Sequence, residues 1–109
     1  MNSVITLVLA LRMMGIPASV ETFSVSAYWN GSGAWPFEGL TASGVQTVPQ
    51  SCACGPSFAF GTVFFVNGAA YVCTDRGSAI TDGHLDLYMA SEAEALTWGR
   101  QELEVVLIR

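Results

Sequence analysis

Asp75-Arg76-Gly77-Ser78-Ala79-Ile80-Thr81-Asp82-Gly83-His84-Leu85-Asp86 joins two apolar runs through a glycine-bearing loop. Upstream, Ala69 to Thr74 reads as a strand that ends at Asp75. Downstream, His84 to Met89 alternates, with His84, Asp86 and Tyr88 on one face and Leu85, Leu87 and Met89 on the other. The apolar face belongs to a core, so the polar face looks into a groove or into solvent. Two carboxylates are thus set in apolar surroundings in a chain that is only 12% charged. Burial of a carboxylate favours its protonated form, which is what an acid catalyst needs.

Working outward, Gly61-Thr62-Val63-Phe64-Phe65-Val66 is a strand, and Asn67-Gly68 predicts a tight hairpin because both residues tolerate positive φ. Thr22 to Trp29 alternates and places Phe23, Val25 and Ala27 on one face. Asn30 to Gly39 reads as a loop carrying Trp35, Pro36 and Phe37, either touching ligand or covering a small apolar cluster. Thr41-Ala42-Ser43-Gly44 is a turn and Val45 to Val48 a short strand. Pro49 to Pro56 reads as irregular or as a sheet edge, since proline cannot serve a central ladder. Ser91-Glu92-Ala93-Glu94 is a capping box that opens a helix to about Trp98, with Gly99 as its stop. Leu103 to Ile108 supplies a last strand. Six short strands and one short helix near the C-terminus, without a repeat, predict a mainly β fold closed into a barrel.

The chain has 109 residues, room for one domain and a modest core. It has no lysine; Arg12, Arg76, Arg100 and Arg109 face nine acids, for a net charge of -5. Without clustered cations a nucleic-acid partner is excluded, and docking on anionic lipid is disfavoured. Residues 1–18 read as a secretory signal, from the apolar run Val4 to Leu11 and the small residue that closes Ile16-Pro17-Ala18, or as an N-terminal helix packed on the domain of residues 19–109. The apolar run is too short for a membrane span. Of the three cysteines, either Cys52 or Cys54 is placed to pair with Cys73, which suits an oxidising compartment; otherwise all three are small buried hydrophobes. The Cys-x-Cys pair with Cys73 and His84 matches no standard zinc spacing, so no metal is expected.

Several pieces, in order, resemble the 3D domain, a family named for three aspartates and found in membrane-bound lytic transglycosylase A and in small cell-wall-active proteins. They are Ala27-Tyr28, Thr41-Ala42-Ser43-Gly44, Gly61-Thr62-Val63, Asp75 to Ile80, His84 to Tyr88, Glu94-Ala95, Trp98-Gly99-Arg100 and Val105-Val106. The resemblance runs from about Val25 to Ile108 and implies a six-stranded double-psi β-barrel. Gly55-Pro56 stands where the family often has aspartate-proline, Gly77-Ser78 where it has a glycine pair, and Thr81 where a lysine is common. Asp75 and Asp86 match the other two aspartates.

The resemblance implies a peptidoglycan lytic transglycosylase, with glycan strands as partner, no cofactor, a monomeric chain and an extracytoplasmic or phage-delivered location. It carries the general acid/base role onto Asp86. Asp75, the other catalytic candidate, sits at a strand end before a glycine turn and is expected to accept backbone N–H bonds, stay ionised and position or polarise the substrate. Tyr28, Thr41, Gly77, Ala79 and Tyr88 are the matching substrate-binding residues. The structural alternatives are a turn cap for Asp75, an exposed strand acid for Asp86 and a core tyrosine for Tyr88. His84, the only histidine, is expected at the groove edge or in solvent, because no nucleophile is spaced with it. A non-catalytic glycan-binding barrel and a phage structural protein are the rival readings.

Overall fold

The computed structural model describes residues 3–29 and 50–109. Helix α1 (Ser3–Met13) is followed by strand β1 (Ala18–Tyr28), then β2 (Ser51–Ala53), β3 (Val63–Val66), β4 (Ala69–Asp75), β5 (His84–Tyr88), helix α2 (Glu92–Trp98) and β6 (Arg100–Ile108). The strands close into a barrel in the order β1-β5-β2-β4-β3-β6. Pairs β1/β5 and β2/β4 are parallel; the other four are antiparallel. This is the six-stranded barrel expected from the alternation. The Asn30 to Gly39 loop, the Thr41 turn and the Val45 to Val48 strand lie outside the described residues.

Alternation fills the barrel. Phe23 and Val25 of β1, Phe64 and Val66 of β3, Leu85 and Leu87 of β5, and Val105 and Leu107 of β6 form one buried cluster with Cys52, Cys54, Phe58 and Cys73. Phe23, Phe58 and Phe64 meet with ring centroids 5.3–5.9 Å apart, tilted or edge to face, the arrangements aromatic quadrupoles favour. At the predicted hairpin, Asn67 and Gly68 have φ of 50° and 82°, the two positive values a type I′ turn demands. Ser91 Oγ accepts the Glu94 N–H at 3.2 Å, and Gly99 ends α2 at φ 66°.

One expectation needs correction. Within the Pro49 to Pro56 stretch, Ser51–Ala53 is neither irregular nor an edge: it is buried and pairs with β4 on one side and β5 on the other. Pro56 lies beyond this three-residue strand, so every residue within the strand can donate to the ladder. The short helix near the C-terminus stands where the sequence puts it, and a second helix, α1, packs on the barrel. Val8 and Leu11 of α1 pack with Ala18 and Val106, flanked by Leu7, Val20 and Phe65, on the outer face of β1, β3 and β6. That cover explains why Val105, Val106 and Leu107 are all buried: β6 is covered on both faces there. It also explains why β1 begins four residues before the alternation at Thr22 becomes visible, since Ala18 pairs with Ile108.

Candidate functional site

Strand register brings the two carboxylates onto one row. On the parallel β1/β5 pair Ser26 stands opposite Asp86; across β5/β2 Asp86 stands opposite Ala53; across β2/β4 Ala53 stands opposite Asp75. The row crosses four strands, and the two aspartates are separated by the small side chain of Ala53. Their backbones therefore lie about two strand spacings, ~10 Å, apart. Leu85 and Leu87 point into the core, so His84, Asp86 and Tyr88 stand on the outer face of the wall.

Asp75 reaches that face through an irregularity. Cys73 pairs with Cys52 but Asp75 pairs with Ala53, so β4 carries one extra residue, Thr74. A bulge of this kind re-aims the side chain that follows it. Thr74 Oγ1 is left buried without a hydrogen-bond partner. Asp75 Oδ2 accepts the Tyr28 hydroxyl at 3.4 Å, and Oδ1 accepts the Arg76 N–H at 2.9 Å. Burial, then the charges of Asp75 and Asp86, push the Tyr28 phenol far up, so it stays a hydrogen-bond donor. The Tyr28 and Tyr88 rings meet edge to face at 5.6 Å. Tyr88 is half-buried beside Asp86.

Asp86 is half-buried. Burial raises its pKa above the usual carboxylate value, against the Ser26 hydrogen bond and the charges of His84 and Arg100, which lower it; the negative charge of Asp75 adds a smaller upward push. Ser26 Oγ donates to Asp86 Oδ1 at 2.9 Å and lies 2.7 Å from His84 Nε2. His84 is thus half-buried and bonded, not a solvent residue. Ser26 went unremarked in the sequence because its partner lies 60 residues away, across a parallel pair whose register no local pattern reports.

The loop between the carboxylates is fastened at both ends. Asp82 accepts from Ser57 N at 3.0 Å and from Ser57 Oγ at 2.6 Å, bonds that lower the Asp82 pKa. A Cβ on Gly55 would stand 2.5 Å from the Asp82 backbone, so the position that departs from the family aspartate has no room for a side chain. At the other end Arg76 donates to Phe58 O at 2.6 Å, lies 3.1 and 3.2 Å from the sulfurs of Cys54 and Cys73, and stacks on Phe60 at 4.1 Å. Cys54 and Cys73 form a disulfide, which settles which of the two neighbours pairs with Cys73; Cys52 is free and buried. Gly77 lines a 520 Å³ pocket with Pro56, Arg76, Ser78, Ile80, Thr81 and Asp82, whereas Ala79 is exposed and does not line it. A second pocket of 590 Å³, which no sequence pattern announced, lies beside α2, between Tyr71, Met89, Trp98 and Gln101. Neither aspartate lines either pocket. Thr41 lies outside the described residues. Among the described residues no three His, Cys, Asp or Glu side chains gather as metal ligands, and no helix is long and apolar enough to cross a membrane.

The 3D domain family matches residues 50–109, from β2 to the end of the chain. The chain belongs to the 3D domain family. Among solved structures this 3D domain is similar to the lytic transglycosylase MltA of E. coli. A crystal structure of MltA aligns at 26% identity with a TM-score of 0.50, covering 62% of this chain and 26% of that one. The apo-2 form of an MltA variant aligns at 25% identity with the same TM-score and coverage. The chain thus matches about a quarter of MltA. No curated protein matches it.

Proposed function

We propose that the protein is a lytic transglycosylase of peptidoglycan, acting outside the cytoplasm as an exported or phage-delivered enzyme. The observation that carries the reading is the environment of Asp86: a half-buried carboxylate with a raised pKa, on one outer row with Asp75, in a 3D-domain barrel. The likeness to MltA supports the reaction class, and the Cys54–Cys73 disulfide suits an oxidising compartment.

The bond cleaved joins C1 of N-acetylmuramic acid to O4 of N-acetylglucosamine. Neutral Asp86 gives its proton to O4 as the C1–O4 bond breaks. The resulting carboxylate takes the proton of the C6 hydroxyl while O6 bonds to C1. The ring closes as a 1,6-anhydro sugar, no water is consumed, and Asp86 ends protonated as it began. One carboxylic acid serves both steps, whereas an ordinary glycosidase needs two. Asp75 and Tyr28 form the second anchor on the row: the Tyr28 hydroxyl orients the Asp75 carboxylate, and the pair is placed to hold a sugar hydroxyl. Tyr88 offers a ring face for stacking, and Gly77 and Ala79 lie in the adjoining loop.

The test is to incubate purified protein with peptidoglycan and to analyse the muropeptides by mass spectrometry. Anhydro-muropeptides from the parent, absent with Asp86→Asn, support the enzyme. A specific observation keeps a second reading in view: Gly55 stands in the place of a family aspartate. If the protein sediments with peptidoglycan and releases nothing, it is a glycan-binding barrel, and the transglycosylase reading is refuted.

A further inference from the structure

We propose that Ser26 and His84 form a hydrogen-bonded relay that decides which oxygen of Asp86 carries its proton. The inference rests on the reading of Asp86 as the acid, and it adds Ser26, which lies outside the pieces that resemble the family.

The parallel register sets Ser24 opposite His84 and Ser26 opposite Asp86, so the Ser26 side chain falls between two side chains of β5 that share a face. Ser26 Oγ lies 2.9 Å from Asp86 Oδ1, 2.7 Å from His84 Nε2 and 3.5 Å from the Leu85 carbonyl oxygen. A hydroxyl has one proton to give. Asp86 Oδ1 has no proton of its own to offer and can only accept, whereas an imidazole nitrogen can donate or accept, so the hydroxyl proton goes to Oδ1. The Nε2 contact must then run the other way, with Nε2–H donating to the serine oxygen, which assigns the His84 tautomer.

Two consequences follow. Oδ1 is held by Ser26, so the transferable proton of neutral Asp86 sits on Oδ2, the oxygen left for the substrate. Secondly, neutral and cationic imidazole both donate from Nε2, so the relay persists in either state, but the cation favours ionised Asp86. The other groups that act on Asp86 are Arg100 of β6, Asp75 of β4, Tyr28 of β1 and Cys52 of β2. The Tyr28 and Cys52 protons are held by burial, that of Cys52 up to about 12.

The test uses NMR of the full chain with labelled histidine, and does not depend on activity. The relay predicts an Nε2–H tautomer in the parent, loss of that preference in Ser26→Ala and its return in Ser26→Thr. An Nδ1–H tautomer in the parent, or a tautomer unchanged in Ser26→Ala, would overturn it. Where anhydro product is formed, Ser26→Ala should lower kcat on the order of 10- to 100-fold with little change in KM. His84→Gln, which keeps a neutral donor, should move the alkaline limb of the pH profile upward. A Ser26-dependent Nε2–H tautomer in a protein that releases no product would leave the relay standing and remove the enzyme; product without that tautomer would remove the relay alone.

Discussion

Asp86 is held in a state that costs stability at neutral pH. Its folded pKa lies above the unfolded value, so the fold is favoured by protonation below the ordinary carboxylate value of about 3.9, and that contribution is lost as pH rises through the raised folded value. Asp86→Asn should therefore melt higher than the parent near pH 7, the difference closing as pH falls below about 4, while anhydro product falls by on the order of 10²- to 10⁴-fold. Thermal denaturation and muropeptide analysis of the same preparation check both signs. A parent more stable than Asp86→Asn at neutral pH would contradict the burial argument. Gly55 gives an independent check, since a Cβ there meets the Asp82 backbone. Gly55→Ala should cost about 1–3 kcal/mol in urea denaturation, a strain no neighbouring side chain can relieve by rotating. The face of Asp86 was legible because alternation along β5 sets it opposite Leu85 and Leu87; that of Asp75 was not, because only the extra residue Thr74 turns it from the core side on which Cys73 lies. Ser26 and the bonded role of His84 were not, because both depend on contacts made 58 to 60 residues apart.

The strands were read where a local pattern announces them and misread where pairing decides. The Asn67-Gly68 hairpin and the Ser91 cap carry their own chemistry, and both stand where the sequence puts them. Ser51–Ala53 carries no such signal: three residues are too short for alternation, and Pro56 beside them suggests an edge. Its place at the centre of the row follows from β4 and β5 lying on either side, and from the cysteine that fastens its end to β4. Cys54 and Cys73 enclose a sequence separation of 19. Reducing that bridge, or replacing both residues by alanine, should cost about 2–4 kcal/mol, read as a lower midpoint in urea. Cys52 differs from its neighbour. Its thiol is buried and pushed up to about 12, first by burial and then by Asp86. A thiol reagent should leave it untouched in native protein and label it on unfolding; rapid labelling of the native state would contradict its placement against Leu87.

Closure of the barrel joins these pieces into one site. Strand β1 serves β5 along Ser24–Tyr28 and β6 along Ala18–Ser26, so the strand that carries Ser26 and Tyr28 also closes the sheet. The site wall thus depends on pairings between the two ends of the described chain, which is why composition and alternation could reveal a barrel but not which residues meet on its wall. The outer cover of α1 on β1, β3 and β6 was open to two readings in the sequence, because a short apolar run serves a signal and a packed helix equally well. The same barrel could bind glycan without cutting it, so the decisive measurement concerns the product. Peptidoglycan digested in ¹⁸O-labelled water should yield muropeptides with 1,6-anhydro ends and no ¹⁸O at the new terminus, because the C6 hydroxyl and not water closes on C1. Reducing ends that carry ¹⁸O, or an intact glycan strand, would contradict the role given to Asp86.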